Sequence, residues 1–506
     1  MNIEPELKFR VAKRRLGSVA RMRLKGARPG ERTDSELVST YFDTPKRKLR
    51  RHGLTLRVRQ VDGEFQQTVK TSAAGSFARG EWETNVSDVK PSFRDLDGTP
   101  LAALATRKLK HKLKPVFHTS VHRTAQALLV GPSEIELAVD RGDLVAGRER
   151  RPIGEFELEL KKGRTADLFW TARQFERKTG AELDLCSKSE RGYRLASGDK
   201  QIAVHAEAVE LTNNMTAHEA FNIVAHSTLR HFSSNAEAVR ELDGEAIHQM
   251  RVGLRRMRAA ISLFGAILPA SSTGKIKTEL RWLTGELAPA REIDVFIKER
   301  VKPLGRTSGP KRGIRAIEKQ FSARHRQAFL RARNALETPR YRKLLIDVLE
   351  WLEMRKPNAN AKSETSIGKF AGEAMHRRIR KAREHGRHLV DLSAVERHKL
   401  RIKIKKIRYA VEFFRNLYPA KAQAGLERLS GQLKKIQDAL GALNDVIAHR
   451  EIAMDAALHA PRANRRARAF ASGLLVGQER GASKTLLKAA SKAIRDLRPR
   501  SVALDG

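Results

Sequence analysis

Glu4, Glu6 and Lys8 sit two residues apart near the start of the chain, a spacing that turns all three the same way on an extended strand. Glu155, Glu157 and Glu159 repeat that spacing with carboxylates alone. Carboxylates grouped on one sheet face can hold a hard divalent cation such as Mg²⁺, which takes oxygen ligands and bridges them to phosphate. Arg57, Arg59, Lys70, Arg123 and Lys188 supply cations from other points of the same region. A strand of alternating charge is ordinarily the wet face of a sheet. If several such faces turn inward together, however, the enclosed charge demands an ionic ligand, because buried ions need partners. An oligophosphate suits such a lumen.

A second constellation is helical. His248, Arg251, Arg255 and Arg258 fall within an arc of roughly 80° at 100° per residue. His398, Arg401, Lys405 and Arg408 repeat the spacing. Leu254, Met257 and Ile261 offer packing positions in the first copy, and Ile404, Ile407 and Val411 in the second. Aligned like charges weaken a free helix, so a recurring stripe of them points to an anionic partner. The segment from Leu287 to Val295, with Asp294, matches Leu440 to Val446, with Asn444 and Asp445. His-x-x-Arg is not a metal-ligand box. Asp294 and Asp445 are placed to orient the cations.

The elements that must position these groups change type along the chain. Up to about residue 195, short runs such as 55–59, 67–70 and 155–160 alternate apolar and charged residues and read as strands. Their number and their Gly and Pro turns suggest an antiparallel sheet or barrel, with a helix around Asp167–Thr179. From about 210 the period is helical, with stretches near 212–232, 237–268, 274–302, 310–336, 339–354, 366–391, 394–417, 421–456 and 464–497. The polar break Lys356-Pro357-Asn358-Ala359-Asn360 divides the helical part into two halves of common design.

Composition bounds the partners. A chain of 506 residues exceeds one compact core, and 40% hydrophobic residues suffice for globular domains. A formal charge of +42 calls for nucleic acid, a membrane surface or phosphate polymers. Aromatics at 6% argue against binding by base stacking. The single cysteine, Cys186, excludes an internal disulfide framework and suits a reducing compartment. The acidic, polar start Met1–Glu6 is unlike a signal peptide, and no apolar run approaches the roughly 20 residues of a membrane span. A soluble, cytoplasmic protein without a membrane partner is expected.

At the strand residues the chain resembles the CYTH, or triphosphate tunnel metalloenzyme, family. The resemblance rests on Glu4-x-Glu6-x-Lys8, Tyr41-Phe42-Asp43-Thr44, the strand 56–59, Gln67–Lys70, Gly80-Glu81-Trp82-Glu83 and Ser187–Tyr193, in order over roughly 1–197. It implies an eight-stranded antiparallel β-barrel tunnel that binds inorganic triphosphate with Mg²⁺ or Mn²⁺ and hydrolyses it to pyrophosphate and phosphate. By motif position Glu4, Glu6, Glu155, Glu157 and Glu159 are the implied metal ligands, with Glu4, Glu6 and Lys8 central to catalysis. Lys8, Arg57, Arg59, Lys70, Arg123 and Lys188 are the implied phosphate-holding cations, with Glu81, Glu83 and Asp140 as wall residues. Some members carry a basic residue where this chain has Val121, which leaves the proton-transfer group open.

The helical part resembles the CHAD family, the conserved-histidine α-helical domain. Glu245–Arg251, Lys403–Tyr409, Asp294 and Asn444-Asp445 carry the match. The resemblance implies an all-α domain of two four-helix bundles about a pseudo-two-fold axis. Inorganic polyphosphate is implied to bind at His248, Arg251, Arg255, Arg258, His398, Arg401, Lys405 and Arg408, and with it an association with polyphosphate granules. The expected organisation is a multidomain α+β chain: a tunnel domain over 1–197, a linker over 198–211, and a helical domain over 212–500 with halves at about 212–355 and 366–500. Three alternatives stay open: a polyphosphate-binding protein without turnover, an activity like that of class IV adenylate cyclases, and purely electrostatic contact with nucleic acid.

Overall fold

Alternation along the strands separates two chemistries, and in the computed structural model of this chain each takes its own side of one sheet. Residues 5–71, 80–94, 96–198, 203–303, 311–355, 363–458 and 465–497 are described. The chain divides into two units, Met1–Ile202 with Glu337–Arg355, and Ala203–Leu336 with Lys356–Gly506. Nine strands form the antiparallel sheet: β1 (Glu6–Arg10), β2 (Ala27–Asp43), β3 (Leu54–Val61), β4 (Glu64–Thr71), β5 (Glu81–Val86), β6 (Lys114–Val130), β7 (Ser133–Ala146), β8 (Glu149–Lys162) and β9 (Glu182–Leu183). They pair in the order β5-β4-β3-β2-β6-β7-β8-β1-β9.

The expected closed eight-stranded barrel is therefore corrected to an open nine-stranded order among the described residues. Closure needs the edge strands to run side by side. The outer edge of β1 is occupied at Phe9 and Arg10 by the two-residue β9, and β5 pairs only with β4. The sheet nevertheless curls strongly. Glu6 of β1 is close enough to Lys70 of β4 to feel its charge, although β3, β2, β6, β7 and β8 separate them in the pairing order.

Apolar residues line the convex side. Phe9 of β1 stacks on Phe156 of β8 at 5.0 Å, and Phe156 meets Phe175 of helix α1 (Thr165–Thr179) at 5.2 Å. Leu54, Leu56 and Val58 of β3 pack with Val69 of β4 beneath Leu96, Leu101 and Leu109. The concave side then receives Glu6, Lys8 and Arg10, Arg57 and Arg59, and Glu155, Glu157 and Glu159. One end of it is filled by helix α2 (Lys188–Ala196), whose Tyr193 joins Leu37, Tyr41, Phe117, Val121, Leu144 and Ile153 in an apolar plug.

The helical unit contains α3 (Ala217–Ser233), α4 (Gly244–Leu263), α5 (Ala270–Phe296) and α6 (Lys311–Glu337), followed after the sheet unit's α7 (Pro339–Met354) by α8 (Ile367–His385), α9 (Ala394–Phe413), α10 (Ala420–Leu458) and α11 (Arg465–Arg495). The repeat read from His248 and His398 reappears as contact between equivalent residues. Thr216 bridges Ser366, and Phe264 meets Phe414 edge-on at 5.9 Å, both pairs carrying the numerical offset of the histidines. Helix α7, which the sequence pattern assigns to the first helical half, groups instead with the sheet. Its Asp347 pairs with Arg173 of α1 at 2.6 Å and its Arg342 with Glu176 at 2.9 Å. Among the described residues no helix is long and apolar enough to cross a membrane.

Gly192 explains how α2 can enter the sheet. A Cβ there would lie 2.1 Å from Cε2 of Phe117, so the absence of a side chain sets the approach. Overpacking of this kind costs about 1–3 kcal/mol. Gly192→Ala is expected to lower the urea midpoint of the sheet unit, although alanine is the better helix former. An unchanged midpoint would contradict the placement of α2.

Candidate functional site

Lys188 is the centre of the acidic side. It follows Ser187, which caps α2 in a reciprocal capping box with Glu190 and so fixes the first turn. Its Nζ lies 2.7 Å from Asp140 Oδ2, 2.6 Å from Glu155 Oε1 and 2.7 Å from Glu157 Oε1. Arg123 grips Asp140 bidentately, with both bonds at 2.7 Å, and reaches Glu157 at 2.5 Å. Arg191, one helical turn beyond Lys188, pairs with Glu155. Burial alone would depress the Lys188 ammonium, but Asp140, Glu155 and Glu157 outweigh it and raise it. Burial would raise the Glu157 carboxyl, but Lys188 and Arg123 hold it well below its ordinary range.

The first strand continues this surface. Glu6 is paired across the ladder with Glu159, Lys8 with Glu157 and Arg10 with Glu155. Glu6 keeps solvent access yet is surrounded by protein, and that enclosure, followed by repulsion from Glu157, raises its pKa. Lys8 donates to the Cys186 carbonyl and lies 3.9 Å from Asp184, which Arg10 also approaches at 3.5 Å. Glu159 pairs with Lys161 at 3.0 Å. Glu4 lies outside the described residues.

The opposite wall is basic. Arg57 lies 3.5 Å from Glu81 and 3.9 Å from Glu83, and donates to Thr68 Oγ1 over 3.1 Å. Lys70 pairs with Glu81 at 2.7 Å. Arg59 donates to Ser39 Oγ over 3.3 Å and has no carboxylate within ion-pair distance among the described residues. Burial, then Arg57 and Arg123, lower its guanidinium to about 10. Burial, then Arg57, likewise lower the Lys70 ammonium. Tyr41 registers the same field: burial would raise its phenol, but Arg57 and Arg59 outweigh that and bring it below its usual value. These cations face one another with too little negative charge between them.

A hard cation fits the donor chemistry on the acidic side. Asp140, Glu155 and Glu157 bring carboxylate oxygens within 4.8 Å of one another, but Lys188 already stands among them. Glu6, Glu157 and Glu159 share the same face, and the repulsion that raises Glu6 is the kind a divalent ion relieves. Sequence spacing thus finds Glu6, Glu157 and Glu159 as neighbours, and it misses how far Glu155 and Glu157 are committed to Lys188, Arg191 and Arg123. It also passes over Asp184, which lies beside a two-residue strand too short to leave a period. Arg191 had a signal, its three-residue spacing from Lys188 on one helix. Val121 belongs to the apolar plug and contributes no base.

In the helical unit, His248 is half-buried, and burial followed by Arg291 lowers it to about 4, so its imidazole is neutral near pH 7. Arg251 donates to the Thr284 carbonyl over 3.1 Å, and burial with Arg255 lowers it to about 10. Arg255 approaches the Tyr409 hydroxyl at 3.4 Å. Asp294 orients three groups, Arg291 at 3.1 Å, Lys298 at 3.0 Å and His325 at 3.6 Å. In the second copy His398 is exposed, while Arg401, Lys405 and Arg408 are half-buried. The side chains of Asn444 and Asp445 lie outside the described residues.

Fold and site define a two-domain protein in which a curled sheet with an ionic inner face is joined to a basic helical repeat. The chain carries a CYTH domain followed by a CHAD domain, the first matched over residues 2–193 and the second over 223–454. A protein of Haemophilus influenzae named inorganic triphosphatase is 33% identical over 166 residues, 32% of this chain and 46% of that protein. The chain thus spans about half the length of that curated relative. An uncharacterised protein of Mycobacterium tuberculosis is 24% identical over 489 residues, covering 91% of this chain and 90% of the relative. The crystal structure of the CHAD domain from the plant Ricinus communis matches with a TM-score of 0.50 and 27% identity, over 59% of this chain and 99% of that one.

Lys188→Met removes the one cation shared by three carboxylates. Glu157, Asp140 and Glu155 have depressed pKa values, so their contribution to stability is present above their unfolded values and lost as pH falls through the folded ones. The substitution is expected to destabilise the sheet unit by about 3–5 kcal/mol at pH 7. In acid, where the stranded carboxylates take up protons, it should cost less. Equal losses at pH 7 and pH 4 in denaturant titrations would contradict the tripod.

Proposed function

We propose that the sheet unit hydrolyses inorganic triphosphate to pyrophosphate and phosphate with Mg²⁺ or Mn²⁺, and that the helical unit binds polyphosphate. The observation that carries the first reading is the polarity of the inner face: the under-compensated cations Arg57, Arg59 and Lys70 stand across from the carboxylates of Glu6 and Glu157. A site that only bound anions would have no use for those carboxylates. The relative named inorganic triphosphatase supports the choice of reaction.

In this reading Glu6, Glu157 and Glu159, with Glu4, hold the divalent ion, which when bound offsets phosphate charge and acidifies a water. Arg57, Arg59 and Lys70 grip the non-bridging phosphate oxygens and fix the chain for in-line attack. Lys8 extends that grip at the acidic edge. Arg123 and Lys188 act on the substrate chiefly by holding Asp140, Glu155 and Glu157 in register, and Arg191 supports them. Water adds to a terminal phosphorus as the bond to the bridging oxygen breaks, and pyrophosphate leaves with that oxygen.

The second reading rests on the paired stripes. Arg251 is crowded by burial and by Arg255, as expected of a surface that awaits a polyanion. Arginine forks suit phosphate oxygens, and Lys405 keeps the charge without the fork.

Purified full-length protein with Mg²⁺ is expected to release phosphate from triphosphate in preference to pyrophosphate, ATP or long-chain polyphosphate. Chelation should abolish the release. Glu6→Gln and Arg59→Ala should each lower kcat/KM by about 10²-fold or more while the fold persists. Near-normal turnover in both variants, or preference for ATP, would overturn the assignment. For the helical unit, long-chain polyphosphate should displace the protein from DNA at far lower phosphate-equivalent concentration than the reverse. The opposite order would transfer that surface to nucleic acid.

A further inference from the structure

The crossing of α4 and α9 contains two places related by the internal repeat, and they are filled differently. At one, the fully buried Arg256 meets Glu412 at 2.8 Å, with Phe413 beneath its guanidinium at 5.4 Å. The offset that takes His248 to His398 takes Arg256 to Lys406 and relates Glu412 to Ser262. At the second place Lys406 Nζ donates to Ser262 Oγ over 3.1 Å. The basic member is kept, and the acidic member has become a hydroxyl.

More cations gather there. Arg378 of α8 donates to the Ser262 carbonyl. Arg258, one turn before Ser262 on α4, and Lys277 of α5 both press on Lys406, whose ammonium is lowered first by burial, then by Arg378, Arg258 and Lys277. Arg378 and Arg258 are themselves lowered by burial and by further arginines, Arg377 and Arg281. Arg258, Lys277, Arg378 and Lys406 are all half-buried, and none pairs with a carboxylate among the described residues. Four converging cations in a partly dry place are costly unless an anion joins them. The sister place shows how the fold answers the same problem when a carboxylate is available.

We propose that Ser262, Lys406, Arg378, Arg258 and Lys277 form a site for one phosphoryl group, the external anion standing where Glu412 stands beside Arg256. Serine carries a hydroxyl on Cβ where glutamate carries a carboxymethyl group, which leaves room for a tetrahedral group. Its hydroxyl accepts from Lys406 and can donate its own proton to a phosphate oxygen. Guanidinium and ammonium donors from four helices match a doubly charged phosphate better than a monovalent ion. Arg258 is also the last member of the first basic stripe, so the group bound here is either free phosphate or the end of a chain lying along that stripe. The proposal extends the phosphate-binding reading of the helical unit and rests on it for the choice of anion.

The test uses the full chain carrying Arg57→Ala and Arg59→Ala, so that the sheet unit contributes little, at ionic strength held constant with chloride. Melting temperature is measured against added orthophosphate and, separately, against long-chain polyphosphate. The parent should be stabilised by both or by the chain alone, the first result assigning free phosphate and the second a chain end. Ser262→Glu, which supplies the missing carboxylate, should melt higher without phosphate and lose that increment. Lys406→Met, which adds no charge, should lose the increment too. Arg251→Ala, away from Ser262 on the stripe, should weaken the chain's effect and keep that of orthophosphate where the parent shows one. If Ser262→Glu and Lys406→Met respond like the parent while Arg251→Ala does not, this site is overturned and the stripe survives. A parent that responds to neither probe overturns both.

Discussion

Everything in the sheet unit depends on how charge is balanced inside a curled sheet. Lys188 makes three carboxylates tolerable in a buried place, and Arg123 and Arg191 complete the arrangement. Much of that acidic knot is closed on itself, and the pull of Glu157 on Arg59 is outweighed by burial, Arg57 and Arg123. Arg59 is left with a hydroxyl for company, and Lys70 shares Glu81 with Arg57. The apolar plug around Tyr193 sets the depth of α2 and hence the height at which Lys188 enters. The protein thus balances the charge on one half of its inner face and leaves the other half short of negative charge.

Much of this was legible in the sequence, for a simple reason. A strand shows its faces at every second residue, so Glu6 with Lys8, Arg57 with Arg59, and Glu155 with Glu157 could be assigned to common faces before any fold was known. The apolar partners Leu7, Phe9, Leu56, Val58, Phe156 and Leu158 told equally well which face would be covered. Spacing carries no information on which ions pair across the lumen. Glu155 and Glu157 therefore read as ligands with no sign of the cations that hold them, Lys188 with Arg191 for the first and Lys188 with Arg123 for the second. Closure was over-read as well, because alternation cannot reveal that a two-residue strand takes the outer edge of β1.

The helical unit shows the same division. The doubled histidine-arginine spacing announced a repeat, and Thr216 with Ser366 and Phe264 with Phe414 realise it as contact between equivalent residues. Helix α7 escaped the reading because its pattern is that of any amphipathic helix. Its ion pairs to Arg173 and Glu176 reveal that it covers α1 of the sheet unit. Repeats also inform through their departures: Ser262 and Lys406 stand where the other half has Glu412 and Arg256.

The most direct measurement is a crystal structure of the full chain grown with triphosphate, Mn²⁺ and calcium-free buffer, read by anomalous scattering. The account predicts manganese against Glu6 and its neighbours on β8, with phosphate oxygens on Arg57, Arg59 and Lys70. Manganese bound elsewhere, or triphosphate found on the convex side of the sheet, would contradict it.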